Sequence, residues 1–424
     1  MKLALIALPF VLLFAGMPIF IILLTTATLA LVLVMNVPLT GVPQMMFGAI
    51  EKFSLLAVPF FIFAGEILSN GGISERLMHW VESVFGGVRG SVALTTVGTF
   101  EFFGAISGSS PATVAAVGKT LYPTLRQSGY DERFSLGLVT SAGAIASIIP
   151  PSITLILYGA AAEQSVAKLF IGGVLPGILV GLLTACYVIW YAYSRQVPTA
   201  ERFSLRRLAR TTREGIWAIL APVIILGSIY GGITTPTETA GVACIYAALV
   251  TRFIYRTLTW RRLFELAASS AFITAQIMII VAASGVFSWL LTISGVPQAI
   301  VRFISEQQIS PAMLLLAINI FLLIVGCFID PGSAVLVLTP LLVPIVKHAG
   351  IDLVHFGIIV TVNLAIGMFT PPFGLNLFIS QGLFNVPIGR IMRGVMPFLA
   401  CQLAALLLIT YVPWLSLYLV QFVR

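Results

Sequence analysis

Ser107-Gly108-Ser109-Ser110-Pro111 interrupts an otherwise apolar stretch, and forty residues further on a second apolar stretch is broken by Pro150-Pro151. The second half of the chain carries the same two devices, Asp330-Pro331-Gly332-Ser333 and then Pro371-Pro372. In hydrocarbon each unsatisfied backbone group costs several kcal/mol, so helices break only where they line a cavity or a binding site. Two breaks per half, matched across the halves, are the pattern of a secondary transporter with its site near the membrane midplane.

Composition agrees. Of 424 residues, 59% are hydrophobic and only 9% charged, against about 25% charged in soluble domains. Many apolar runs approach the ~20 residues that span a bilayer. The net charge of +8 therefore points to basic membrane-side loops and not to nucleic acid. Cys186, Cys244, Cys327 and Cys401 sit in apolar segments at no metal-like spacing and read as small buried hydrophobes. Lys2 followed by Leu3–Ala15 has the look of a secretory signal. The apolar run continues to Met35, however, and we keep the segment as the first helix of the repeat.

Run length and breakers predict two spans within Leu3–Met35, a polar loop over Asn36–Lys52 and a span over Phe53–Leu68. An amphipathic helix over 73–88 should lie along the interface, its apolar face made by Ile73, Leu77, Trp80, Val81 and Val84. Ser91–Ile106 and Pro111–Arg126 are 16 residues each, roughly 24 Å and short for a span. They read as a re-entrant hairpin (91–127) with its tip at mid-membrane. Phe134–Tyr158 spans with the proline break inside it, Leu169–Tyr193 returns, and Ser194–Glu214 is an aqueous basic stretch.

A shift of 221 residues places Pro123 on Pro344, Asp131 on Asp352, Pro150-Pro151 on Pro371-Pro372 and Pro176 on Pro397. A shift of 223 places Gly72 on Gly295, which opens a second interfacial helix over 296–307 ahead of a second hairpin at 311–347. Prolines and glycines fix backbone geometry, so matches at one offset mark a repeat. The chain divides into a first repeat (1–194), a basic linker (195–215) and a second repeat (216–424). With the linker cytoplasmic and each hairpin returning to its own side, 17 of the 23 Lys and Arg fall inside. Lys2, Lys52, Lys168, Arg302, Lys347 and Arg424 fall outside, a positive-inside bias. Both termini are then outside, and the repeats are inverted. The expected fold is an all-α polytopic membrane protein of inverted repeats.

At the first tip Pro111 suits the first helical position and Ser110 the N-cap, so free amides and a partial positive charge face the tip. The hydroxyls of Ser107, Ser109 and Ser110 and spare carbonyls could hold a cation beside an anion. Capping alone would also explain these serines. Asp330 is a rare acid at membrane depth, where charge is costly and usually functional; it too could be a plain cap. The double prolines free carbonyls in the preceding turns. Pairing tip with break gives one cation site from Ser107, Gly108, Ser109, Ser110, Gly143, Ser147 and Pro150. A second site is expected from Asp330, Gly332, Ser333, Gly367 and Thr370. Ser109, Ser110, Ser152, Thr154 and Pro371 are the expected contacts to an organic acid anion. Thr235-Pro236-Thr237-Glu238 fits a capping box, Glu66 and Glu101 have no evident partner, and the three histidines are too scattered for a metal or a triad. No phosphate loop or nucleophile elbow occurs, so neither an ATPase nor an enzyme is indicated, and no cofactor beyond a coupling ion.

Phe103-Gly104-Ala105-Ile106-Ser107-Gly108-Ser109-Ser110, Ile149-Pro150-Pro151-Ser152-Ile153, Thr235-Pro236-Thr237-Glu238-Thr239-Ala240 and His355-Phe356-Gly357-Ile358-Ile359 resemble the large membrane subunit of tripartite ATP-independent periplasmic (TRAP) transporters. The resemblance covers essentially the whole chain. It implies a sodium-driven importer of the bacterial inner membrane working by an elevator motion. It also implies two partners, a small four-helix membrane subunit and a periplasmic substrate-binding protein. Pro111-Ala112-Thr113, where many members have Ala-Asp, resembles the sialic-acid branch, with a C4-dicarboxylate as the other candidate cargo. Rival readings are a stand-alone sodium- or proton-coupled anion symporter and an ion channel. Two non-identical tips in one chain favour a transporter over a channel.

Overall fold

The computed structural model describes residues 2–198 and 203–422, and among these every regular element is helical. Arg202 and Arg424 of the charge count lie outside the described residues. In chain order the helices are α1 (Lys2–Phe14), α2 (Ile19–Leu33), α3 (Gly41–Ile50), α4 (Ala57–Asn70), α5 (Ile73–Phe85), α6 (Ser91–Ser107), α7 (Ser110–Gln127), α8 (Glu132–Ile148), α9 (Ile153–Ala162) and α10 (Val166–Ser194). The second half contributes α11 (Leu205–Tyr230), α12 (Pro236–Leu249), α13 (Trp260–Ser294), α14 (Val296–Glu306), α15 (Pro311–Phe328), α16 (Pro331–His348), α17 (Leu353–Gly367), α18 (Leu375–Phe384), α19 (Ile388–Tyr411) and the short α20 (Trp414–Leu417). Among the described residues eight helices are long and apolar enough to cross a membrane, both arms of the second expected hairpin (α15 and α16) included, and α8 with α9 passes the same test as a pair bent by 41° at the proline break.

The offset of 221 recurs in the bounds of the elements themselves. Both bounds of α7 lie 221 residues before those of α16, and the N-caps Asp131 and Asp352 keep the same offset. The cis peptide bonds Pro150-Pro151 and Pro371-Pro372 keep it as well. In each half the first hairpin arm lies on the upstream part of the broken helix through a glycine. Gly104 packs on Ala146, and Gly326 on Gly367, so closely that a Cβ at either glycine has no ordinary place. The halves also interlock. Helix α8 packs along α19 and α4 along α12 within one core that joins the two halves, while α2 packs along α13 in a smaller separate cluster.

Two expected boundaries differ. Within Asn36–Lys52, expected as a polar loop, residues 41–50 form α3; Pro43 falls in its first turn, where a missing N–H costs little. Val42, Met45 and Met46 bury its apolar side against Leu31, Val286 and Trp289. The basic stretch Ser194–Glu214 is helical from Leu205 onward, with Ser204 as N-cap to Arg207 N. This basic start of α11 packs along α5, where Trp80 Nε1 donates to Thr212 Oγ1 (3.1 Å) and Ser83 Oγ lies 2.8 Å from Thr211 Oγ1. The interfacial helices end at Phe85 and Glu306, slightly earlier than the apolar pattern alone would place them.

Candidate functional site

Each hairpin tip is a helix stop followed at once by a helix start. Helix α6 ends at Ser107; Gly108 takes the left-handed conformation (φ 60°) and donates to Gly104 O (2.9 Å), and Ser109 is extended as the N-cap of α7. The N-cap is thus Ser109 and not Ser110 as expected. Ser110 and Pro111 fill the first two helical positions, and the Ser109 side chain makes no cap bond. In the second hairpin Ile329 is extended and Asp330 is the N-cap of α16. Its carboxylate accepts from Ser333 N (2.9 Å) and from Ser333 Oγ (2.6 Å). Ser109 and Asp330 stand 221 apart, so the two N-caps are equivalent.

The tips and the restarts of both broken helices border one cavity of about 440 Å³. Residues 107–112 and 330–332 line it from the tips, Ile153 and Thr154 from the start of α9, and Leu375 from the start of α18. The starts of α7, α16, α9 and α18 therefore converge on a common space. A helix N-terminus carries about +0.5 of a charge. Among the described lining residues the acids are Glu66 and Asp330, and none is Lys, Arg or His. Glu66 and Ser69 come from α4, with Ile273 and Ile277 from α13 completing the wall. Ser69 and Ala116 also line a neighbouring cavity bordered by Gly72, Glu75, Lys119 and Pro123. That is the end of the bundle where Arg76 meets Gly215 of α11.

Around the first tip the expected ion residues come together. Ser110 N donates to Ser147 Oγ (3.2 Å), Gly143 sits against Ser110 Oγ, and Gly108 against the Pro151 carbonyl. Ser107–Ser110 and Ser147 face the cavity. Gly143 stands behind the tip, while Pro150 packs toward Gly173 of α10. Ser152 is absorbed by the backbone: its Oγ donates to Ser147 O (2.6 Å) and accepts from Leu155 N (3.4 Å), and the residue does not reach the cavity. Thr154 does.

The second set is looser. Gly332 borders the cavity with Asp330, and Ser333 is held by the Asp330 carboxylate behind them. Gly367 serves the crossing with Gly326, and Thr370 Oγ1 donates to Ile366 O (2.8 Å). Met368, not Pro371, reaches the cavity from this break. Pro371 is met by the tip arm through Cys327 Sγ (3.9 Å to its carbonyl), and the chain after it is exposed, Phe373 by 52%.

One residue the sequence reading did not single out ties the halves together. Asn376, at the second position of α18, donates from Nδ2 to Ser110 Oγ (2.7 Å) and to Thr140 O (3.3 Å), and is itself fully buried. A polar residue at the second position of a restarted helix in an apolar stretch was the available signal. Thr235 and Glu238 form the expected capping box, with Glu238 Oε2 accepting from Thr235 N (2.8 Å). No group of three or more His, Cys, Asp or Glu able to hold a metal occurs among the described residues.

Comparisons with known proteins follow this geometry. By overall shape the chain is similar to the YdaH transporter of Alcanivorax borkumensis, with a TM-score of 0.64 at 15% identity over 87% of this chain and 86% of that one. It is likewise similar to MtrF of Neisseria gonorrhoeae (TM-score 0.63, 14% identity, 88% and 83%). At these identities the likeness speaks for the fold. In sequence the chain is 41% identical over 88% of its length to the C4-dicarboxylate TRAP transporter large permease protein DctM of Pseudomonas aeruginosa, covering 87% of that protein. It is 37% identical to the protein of the same description from Rhodobacter capsulatus, with 96% of each chain covered. It is 40% identical to the isethionate TRAP transporter permease protein DctMQ of Oleidesulfovibrio alaskensis over 95% of its own length, but spans only 64% of that longer chain. The family described as tripartite ATP-independent periplasmic transporter, DctM component, matches residues 6–415, and the chain belongs to it.

Proposed function

We propose that the protein imports an organic acid anion by coupling it to sodium, as the large membrane subunit of a transporter with a small four-helix membrane subunit and a periplasmic binding protein. The observation that carries this reading is the convergence of four helix starts on one cavity without a basic side chain. Their partial positive charges suit a carboxylate, and cations bound at the tips would supply the remaining compensation. The first sodium lies among Ser107–Ser110, Ser147 and the carbonyls before Pro150. The second lies at Asp330–Ser333 with Gly367 and Thr370.

The moving unit comprises the two hairpins α6–α7 and α15–α16 and the broken helices α8–α9 and α17–α18. Helices α4, α5 and α11–α14 form the static part, and the unit travels against it as an elevator. The repeats are inverted across the bacterial inner membrane, with both termini periplasmic and the basic start of α11 cytoplasmic. The cavity bordered by Gly72, Glu75 and Lys119 beside that basic end supports reading this arrangement as inward-facing. Relatives carry descriptions naming C4-dicarboxylates, ectoine and isethionate; for this chain Pro111-Ala112-Thr113 favours a sialic acid, with a C4-dicarboxylate next.

Uptake into proteoliposomes holding the complete membrane complex tests the reading. Accumulation should require both a sodium gradient and the added binding protein. Equal uptake with the gradient collapsed would sink sodium coupling, and equal uptake without binding protein would favour a stand-alone symporter.

A further inference from the structure

Glu66 is a cavity residue to which the organic-acid reading gives no task. It stands on α4, in the static part, while the tips and restarts belong to the moving unit. Its carboxyl group is held in place: Asn70 Nδ2 donates to Glu66 Oε2 (3.4 Å) and to the Glu66 carbonyl (2.9 Å). Asn70 Oδ1 in turn accepts from Arg262 Nη2 (3.3 Å), which fixes the amide with its NH2 group toward Glu66. Arg262 is also committed to Glu265 (3.0 Å), so its charge is shared with a third residue outside the cavity. Asp330, the other acid of the lining, spends its carboxylate on Ser333 N and Oγ. Glu66 is then the acid of the lining left to meet the cargo.

The cargo's carboxylate belongs at the tips and restarts, where the helix starts are. Its far end must lie toward the remaining wall, made by Ile62, Glu66 and Ser69 of α4 with Ile273 and Ile277 of α13. A second carboxylate there would face Glu66 with no basic residue in the lining to offset either charge. A hydroxyl or a cationic nitrogen would instead donate to it.

We propose that Glu66 is a specificity-determining residue that selects monocarboxylates with a donor-bearing far end and rejects dicarboxylates. This rests on the organic-acid reading and narrows it. The purified membrane complex in saturating sodium would be titrated with N-acetylneuraminate, gluconate and succinate, following ligand-induced thermal stabilisation. Wild type should bind at least one of the two hydroxylated monocarboxylates about tenfold more tightly than succinate, a modest share of the like-charge term at such distances. Glu66→Gln should close that gap by tightening succinate. Glu66→Asp, which keeps the charge, should preserve it, and it carries the test if Glu66→Gln does not fold. Succinate bound by wild type as tightly as the monocarboxylates, or a ratio unmoved in Glu66→Gln, would overturn the filter. Binding of none of the three at any sodium concentration would instead bring down the organic-acid reading, and the filter with it.

Discussion

In its side-chain hydrogen bonds the first hairpin tip is held by the rest of the protein, and the second holds itself. Ser110 is bonded by Ser147 from α8 and by Asn376 from the other half, and the break beside it, Pro150 to Ser152, is buried. Asp330 closes its own turn onto Ser333, and the break beside it runs out to an exposed Phe373. The interfacial helices differ in the same sense. Helix α5 is tied to α11 through Glu82 and Arg207 (3.1 Å), whereas α14 meets the end of its own hairpin, Ser305 Oγ lying 3.0 Å from His348 Nε2. One repeated plan thus yields an anchored unit and a self-contained one. Sodium at the first tip would find ligands positioned by neighbours, and at the second it would find a carboxylate.

The sharpest break of this comparison is at the tip glycines. Gly108 has a positive φ, and a Cβ there would collide with the Pro151 carbonyl. At Gly332 the same Cβ would meet only Asp330 Oδ2 and Leu157 Cδ1, each at 3.2 Å. Gly108→Ala should therefore cost about 1–2 kcal/mol of backbone strain plus about 1–3 of overpacking. Gly332→Ala should cost less than about 1.5 kcal/mol. Thermal unfolding of both variants in one detergent reads the difference. Equal losses would mean that the first tip is no more constrained than the second.

The caps come next. Asp330→Ala removes a bonded N-cap and should cost about 1 kcal/mol. Ser109→Ala removes a side chain with no cap bond and should stay within about 0.5 kcal/mol. Both should raise the sodium concentration needed for half-maximal uptake, which separates ligand from cap most cleanly at Ser109. Unchanged sodium response in both variants would reduce the tips to capping.

Much of this comparison was legible in the sequence, because prolines, glycines and N-cap acids report backbone geometry directly. The hairpin arms, both proline breaks, Asp131 with Asp352, and the capping box at Thr235 lie where their residue types put them. What escaped depends on neighbours distant in sequence. Helix α3 hides behind Gly41, Pro43 and Gly48, and its apolar side is defined by partners in α2 and α13. Asn376 gains meaning only from Ser110, 266 positions away. Ser152 and Pro371 looked like cavity residues by proximity to a break, yet the first is consumed by capping and the second turns outward. Burial and facing of a broken segment are set by tertiary packing, and the local code does not carry them.

The smallest effect belongs to the seam between α5 and α11. The Glu82 carboxylate, 3.7 Å from Nδ1, raises the His79 imidazole above its ordinary value, and the same contact, aided by Arg207, holds the Glu82 carboxyl below its own. A raised His contributes stability that is complete below its unfolded value, about 6.5, and is lost as pH rises through the higher folded value. A lowered Glu contributes above its unfolded value, about 4.3, and loses this only as pH falls through the lower folded value. The seam should therefore be strongest near pH 5–6 and weaken toward pH 8. The His79 side chain is 60% exposed, so solvent and salt screen most of the effect. We expect a fall in melting temperature of less than about 2 °C between pH 6 and 8 attributable to this pair. His79→Gln should flatten that part of the profile, while His348→Gln, at the self-contained end of the other unit, should leave it in place. A pH profile unchanged by His79→Gln would show that the anchored helix is held by Trp80, Ser83 and Arg207 without help from the imidazole.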